Sequence, residues 1–319
     1  MTKVSYYLNS KIMKRRKNHK NIRKEKSVVC DEKYLAIDVG GTAIKYVLTD
    51  RSVEIGKISE MKTDRDKGEL FNSLDEIISP HIDDIAGIAL SFPGKINVEK
   101  GIAHTAGAFH WISDLALKSI LEEKYLKPVW IENDGKCGAL AEFWKGNLSD
   151  VKNGVFIGLG TEIAGGIILE GKLFRGSFGS AGEFSSMPGR IKNPDNEERF
   201  GKIGGHKNLT SDFTDSFEFF ERYRNGDEVA RNAMKDYSRT IAAGIVTIQS
   251  VLDVEKFCIG GGIAAEDVLI DEIRKSLREF ITVKSGEAIN EPAIEKCRFG
   301  NATGCIGALY NFLVMEKII

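Results

Sequence analysis

Cysteine is scarce in this chain and never closely paired. The five cysteines, Cys30, Cys137, Cys258, Cys297 and Cys305, are odd in number and scattered, with no Cys-x-x-Cys among them. That pattern favours free thiols in a reducing cytoplasm over a disulfide framework or a zinc site. No apolar run approaches the roughly 18 residues a membrane span needs, and the basic start, apolar core and small-residue cleavage site of a secretory leader are missing. The Gly-Lys-Ser/Thr ending of a Walker A loop is missing too. An excess of charge is likewise missing, the formal net charge being −1. What remains is the composition of a soluble globular protein, and 319 residues are enough for two lobes with separate cores.

The near-neutral total hides an asymmetry. Residues 1–33 carry eleven Lys/Arg against three acids, about +8, which leaves the remainder near −9. The run Lys14-Arg15-Arg16-Lys17 reads as a solvated, disordered tail, with contact to nucleic acid or an anionic surface as the alternative. It is too short for a DNA-binding domain.

Beyond the tail, the stretch from Tyr34 to Asp50 predicts a hairpin. Leu35, Ile37 and Val39 alternate, and Ile44, Val47 and Leu48 form a second apolar run. Gly40 and Gly41 make its turn, where they permit φ > 0 and leave no Cβ between backbone N–H groups and an anion. Thr42 adds a hydroxyl, and Asp38 ends the strand at the same spot, where a carboxylate faces phosphate only with Mg²⁺ between them. An ordinary two-glycine hairpin is the alternative. A third strand is expected over Val53–Met61. Leu70, Leu74, Ile77 and Ile78 share a helical face, Ile85–Leu90 is a strand, and Leu117, Ile120, Leu121 and Tyr125 mark a helix capped by Ser113.

Val129–Ile131 then delivers Glu132-Asn133-Asp134 to the carboxyl end of a strand, where ligands collect in open α/β sheets. Asp134 is placed to accept a proton from a hydroxyl and Asn133 to orient that hydroxyl; a plain helix cap is the competing reading. Gly154–Lys172 repeats the strand, glycine turn and strand of Asp38–Leu48, so the fold reads as a duplicated α/β unit with a cleft between halves. A long helix from about Asp227 to Leu252 leads to Gly260-Gly261-Gly262, which ends a strand and lets a flat ring lie against backbone.

These motifs, with Ala181-Gly182-Glu183-Phe184 and Gly304-Cys305-Ile306-Gly307-Ala308, resemble in order and spacing those of the ROK family (repressors, open reading frames and kinases), from about Tyr34 to the C-terminus. The resemblance implies a two-lobed actin-like/hexokinase-like ATPase fold built from duplicated ribonuclease-H-like domains. The expected small lobe is 34–130 plus 303–319, and the large lobe is 131–302. It further implies an ATP-dependent kinase acting on a hexose-type sugar (glucose, N-acetylmannosamine or a glucoside-like sugar), with Asp134 as base and Asn133 and Glu183 on sugar hydroxyls. Nucleotide contacts are expected from Asp38, Gly40, Gly41, Thr42 and Lys45, from Gly160 and Thr161, and from Gly261 and Gly262, with Mg²⁺ near Asp38. A homodimer without membrane or nucleic-acid partners is expected. The alternative is a non-catalytic, sugar-sensing regulator.

Three departures from the family pattern bear on this. Ser185-Ser186-Met187 follows Gly182-Glu183-Phe184 where the family places its zinc-site histidine, and Pro188–Leu209 has no cysteine, so no zinc site is expected and His206 reads as a surface residue. The glutamate that helps hold the sugar has only Glu197 and Glu198 as candidates. The family's Thr-Gly-x-Gly-Gly turn here reads Thr161-Glu162-Ile163-Ala164-Gly165. A Glu162 carboxylate about 4 Å from phosphate would cost on the order of 4 kcal/mol, roughly a thousandfold in affinity. Pointing outward, it would cost about 1 kcal/mol of left-handed backbone strain. Finally, Thr105–Trp111 lacks the family's asparagine, leaving the sugar's identity open.

Overall fold

The first strand, β1 (Lys33–Val39), is covered on both faces, and its side chains differ accordingly. Leu35, Ile37 and Val39 enter a cluster of large residues with Leu70, Leu74 and Ile77 of α1 (Lys67–Ile78). Tyr34 and Ala36 face the other way, into a thinner layer with Cys137, Cys305, Ala308 and Phe312. Alternation puts the two sets on opposite faces, and the small side chains mark where a helix lies close. In this computed structural model residues 32–53, 56–189, 198–282 and 289–319 are described. The basic stretch through residue 31, including Cys30, lies outside them, and Lys33 already belongs to β1.

β1 pairs antiparallel with β2 (Ala43–Thr49), and β2 with β3 (Ser59–Lys62). On its other side β1 runs parallel to β4 (Ile85–Phe92), which runs parallel to β7 (Val129–Asn133). The order is β3-β2-β1-β4-β7. A small ribbon, β5 (Ile96–Asn97) with β6 (Ile102–Ala103), follows β4. The third strand is shorter than the sequence suggested. Helix α2 (Leu117–Tyr125) starts at Ala116 with no side-chain cap, so Ser113 does not cap it, and Ile120 on its expected inner face is 39% exposed.

Helix α3 (Asp134–Lys145) leads into a second sheet with the same plan. Antiparallel β8 (Gly154–Leu159), β9 (Ile163–Leu169) and β10 (Lys172–Leu173) are joined by parallel β11 (Lys256–Gly260) and β12 (Ala293–Lys296), in the order β10-β9-β8-β11-β12. Its core holds Val155, Ile157 and Ile259 against α4 (Ser216–Arg224), α5 (Glu228–Leu252) and α6 (Asp267–Phe280). Asp227 caps α5 by accepting from the Ala230 N–H, and Asp253 ends it in a left-handed conformation. Two sheets with one strand order are the duplication expected from the repeated glycine turns. Among the described residues no helix is long and apolar enough to cross a membrane.

The last helix, α7 (Thr303–Met315), packs along α3 between the two sheets. The approach is too close for ordinary side chains: a Cβ on Gly307 would stand 1.8 Å from the Cys137 carbonyl oxygen. Backbone on both sides leaves no flexible group to yield. Gly307→Ala is therefore expected to cost about 1–3 kcal/mol or more, read as a lowered melting temperature. Gly56→Ala, with nothing within 4 Å of the added methyl, should melt like the wild type.

Candidate active site

Two carboxylates meet where the sheets approach each other. Asp38 sits near the end of β1 beside Ser91 of β4, whose hydroxyl donates to it at 2.6 Å. The start of α7 closes over it, with a Cβ on Gly304 falling 2.3 Å from the Asp38 Cγ. Burial raises the Asp38 proton affinity, opposed by the Ser91 hydrogen bond and the Lys45 charge. Asp134, the first residue of α3, accepts from its neighbouring Gly135 N–H at 2.8 Å and from the Asn133 amide at 2.9 Å. Burial, then repulsion from Asp38 and Glu183, pushes its pKa up to about 6. A carboxylate so raised is a competent general base near neutral pH.

Asn133 takes the capping role that competed with its expected place on a sugar hydroxyl. Its side-chain oxygen caps α3 through the Lys136 N–H at 3.1 Å, while its amide donates to Gly94 O and to Asp134. The cap and the orientation of Asp134 are one arrangement. Beneath it, Glu132 is 1% exposed, forms a 2.7 Å ion pair with Arg175, and accepts the Asn133 N–H at 2.8 Å. Glu183 pairs at 2.9 Å with Lys136, whose side chain is 2% exposed.

The first glycine turn works differently from the expectation. Neither Gly40 nor Gly41 has positive φ. Close approach is the constraint instead: a Cβ on Gly40 would meet the Ala43 carbonyl oxygen at 2.8 Å, and one on Gly41 would press Ala108 at 3.2 Å. Thr63 and Arg65 hold the turn by donating to the Gly40 and Gly41 carbonyls. Thr42 is exposed beside them, and Lys45 reaches Asn301 at 3.0 Å, at the approach to α7. Positive φ does occur in the third turn, at Gly261 (98°), where a Cβ would strike the Leu159 carbonyl; Gly262 next to it faces open space.

The second turn sets Glu162 against Ser185. Neither Thr161 nor Glu162 has positive φ, so the anticipated backbone strain is absent. The Glu162 carboxylate is half-buried and lies 3.1 Å from the Ser185 hydroxyl, whose single proton it shares with the Ile163 carbonyl at 3.0 Å. The two residues that depart from the family pattern are thus bonded to each other. His206, expected at the surface as a bystander, braces the same turn: its backbone N–H and its ring Nδ1 both lie on Gly160 O, at 2.9 and 2.8 Å. With a carbonyl as acceptor, Nδ1 must carry the proton. Glu197 lies outside the described residues; the Glu198 carbonyl accepts from Gly189 N–H.

Ser91, Lys136, Arg175 and His206 escaped the sequence reading. Only Ser91 left a signal, since it ends the strand adjacent to that of Asp38. The others are brought in by tertiary contacts 43 to 47 residues apart in the chain.

Paired sheets of one strand order, with glycine turns and facing aspartates between them, define the two-lobed phosphotransferase fold of actin-like and hexokinase-like proteins. The chain belongs to the ROK family, whose family model matches residues 34–204 and 208–314. It is 29% identical to a beta-glucoside kinase of Listeria monocytogenes, covering 89% of this chain and 99% of that protein. It is 27% identical to a glucokinase of Halalkalibacterium halodurans, covering 87% and 94%. A ROK family glucokinase from Streptomyces griseus, solved in complex with glucose and AMPPNP, shares the fold with a TM-score of 0.79 at 22% identity, over 86% of this chain and 97% of that one.

The raised Asp134 gives a signed expectation for stability. A carboxyl whose folded pKa lies near 6 rather than 3.8 binds its proton more tightly folded than unfolded. The fold is therefore stabilised as pH falls through about 6 and carries the penalty of the charge above it. Asp134→Asn, which keeps the shape without the charge, should melt higher than the wild type at pH 8. The difference should shrink towards pH 4, as thermal melts across that range would read.

Proposed function

We propose that this chain is an ATP-dependent sugar kinase that phosphorylates a hydroxyl of a hexose-type sugar, and that Asp134 is its general base. The observation that carries the reading is Asp134 itself: a carboxylate raised to about 6, oriented by the Asn133 amide and the Gly135 N–H, facing Asp38 across the site. Its family relatives include kinases of glucose and of beta-glucosides. In this reading the sugar hydroxyl lies against Asp134, with Glu183 on a neighbouring hydroxyl. Lys136, paired with Glu183 at 2.9 Å, holds that carboxylate in place as an acceptor.

The nucleotide phosphates occupy the two glycine turns, Gly40-Gly41-Thr42 and Gly160-Thr161. Lys45 lies beside the first, and Gly261 and Gly262 leave a backbone ledge for the base. Asp38, raised by burial and close to a second carboxylate, fits a Mg²⁺ carried by the nucleotide, which would neutralise charge on the phosphates. The hydroxyl proton passes to an Asp134 carboxylate oxygen as the hydroxyl oxygen bonds to the γ-phosphorus. The bond from that phosphorus to the β–γ bridging oxygen breaks, and ADP leaves with the electron pair. Positioning and electrostatics supply most of the rate.

We take the lobes as 34–130 with 303–319, and 131–302, and the assembly as a homodimer in the cytoplasm. Four buried free thiols suit that compartment. The Ser185–Glu162 bond supports catalysis over a purely sensing role, because it keeps the extra carboxylate engaged within the protein.

Turnover with Mg-ATP against a panel of glucose, N-acetylmannosamine, other hexoses and beta-glucosides tests the reading; no turnover on any of them would end it. On the sugar that is turned over, Asp134→Asn should lower kcat by about 10²–10⁴-fold and abolish the fall in kcat/KM below pH about 6. Glu162→Gly should leave ATP affinity nearly unchanged. A tightening of roughly a thousandfold, the value for a carboxylate pressed against phosphate, would restore the sensor reading.

A further inference from the structure

Behind the third glycine turn lies a group of side chains that the reaction does not use. Glu142 of α3 and Cys258 of β11 are fully buried, and Cys297, just past β12, is 8% exposed. The Cys258 thiol lies 3.5 Å from a Glu142 carboxylate oxygen and 3.5 Å from the Cys297 sulfur. All three ligand atoms fall within 4.8 Å of one another. From these we infer a site for a borderline-soft divalent cation, of which zinc is the type, held by two thiolates and one carboxylate.

Three arguments lead there. The first is charge. Among the described residues Glu142 has no Lys or Arg ion pair; its carboxylate accepts from the backbone N–H groups of Asn147 and Arg298 and from the Cys258 thiol. The Arg298 guanidinium donates instead to the Lys145 carbonyl. Buried carboxylates are normally matched by a cation or a metal. The second is spacing. Tetrahedral zinc, with bonds of about 2.3 Å to sulfur and about 2.0–2.2 Å to oxygen, sets its ligands about 3.5–3.8 Å apart, close to the separations found. The third is the state of the sulfurs: Cys258 and Cys297 are both free thiols, 3.5 Å apart, so both are available as ligands.

Binding converts two thiols and one carboxylate to a complex and releases two protons, with charge conserved. Proton and metal compete for the same sulfurs, so affinity should climb with pH. The 8% exposure of Cys297 gives the ion its way in. The site's ligands are far apart in sequence, Glu142 and Cys258 by 116 residues, a combination that a search among neighbouring residues does not reach. It is also separate from the segment that follows Glu183.

The full-length chain, reduced and stripped with a chelator, is titrated anaerobically with Co²⁺. A thiolate-to-cobalt absorption band saturating at one ion per chain, displaced by Zn²⁺, is expected. Cys258→Ser and Cys297→Ser should lose the band, Glu142→Gln should weaken it at least about tenfold, and Cys137→Ser should keep it. No band at one equivalent, or a band that survives Cys258→Ser, overturns the site. Should the serine variants fail to fold, wild-type melting decides: a Zn²⁺-induced rise growing from pH 6 to pH 8 supports the site, and no rise overturns it.

Discussion

Everything in this molecule hangs on how closely two helices and two sheets approach through bare backbone. Gly307 of α7 lies on the Cys137 carbonyl of α3, Gly304 on the Asp38 carboxylate, and Gly135 against Gly165 of β9. Any Cβ at these points would force elements apart. The same contacts bring Asp38, from the first sheet, within electrostatic range of Asp134, which leads into the second. Packing and chemistry are therefore not separable here. A spacer methyl that loosened the helices would also relax the carboxylate pair and lower the proton affinity that makes Asp134 useful.

The polar network below the site serves that same constraint. Arg175 neutralises buried Glu132, Glu132 holds the Asn133 N–H, and Asn133 both caps α3 and aims Asp134. Each link satisfies a group that would otherwise be costly to bury. A change at Arg175 should thus be felt at Asp134, three contacts away, although Arg175 is far from it in sequence.

How far the sequence foretold this depends on the range of the interactions concerned. Period-2 and period-3.6 patterns located most strands of both sheets, though not β12, and the face of α1, because those patterns are written locally. The glycine turns and Asp134 were legible as motifs. Their mechanism was not: Gly40 and Gly41 proved to be needed for close approach, not for positive φ, and closeness is a property of the partner as well as the glycine. The cap assigned to Ser113 failed since α2 begins three residues later, at a point that burial sets and local propensity does not. Lys136, Arg175 and His206 were invisible for a plainer reason. A charged or imidazole side chain says nothing about which backbone or carboxylate the fold will bring to it.

The crowding of Asp38 and Asp134 has a consequence for the order of events. Either a proton on Asp134 or a positive charge at Asp38 relieves the same repulsion, so the two are alternatives. In the proposed mechanism, a metal-bearing nucleotide arriving at Asp38 would expel the proton and leave Asp134 ready, and a proton already in place would make that arrival costlier. Acidity would then act as a rival of the nucleotide, and the protein would be charged for catalysis by the very substrate whose phosphate it moves.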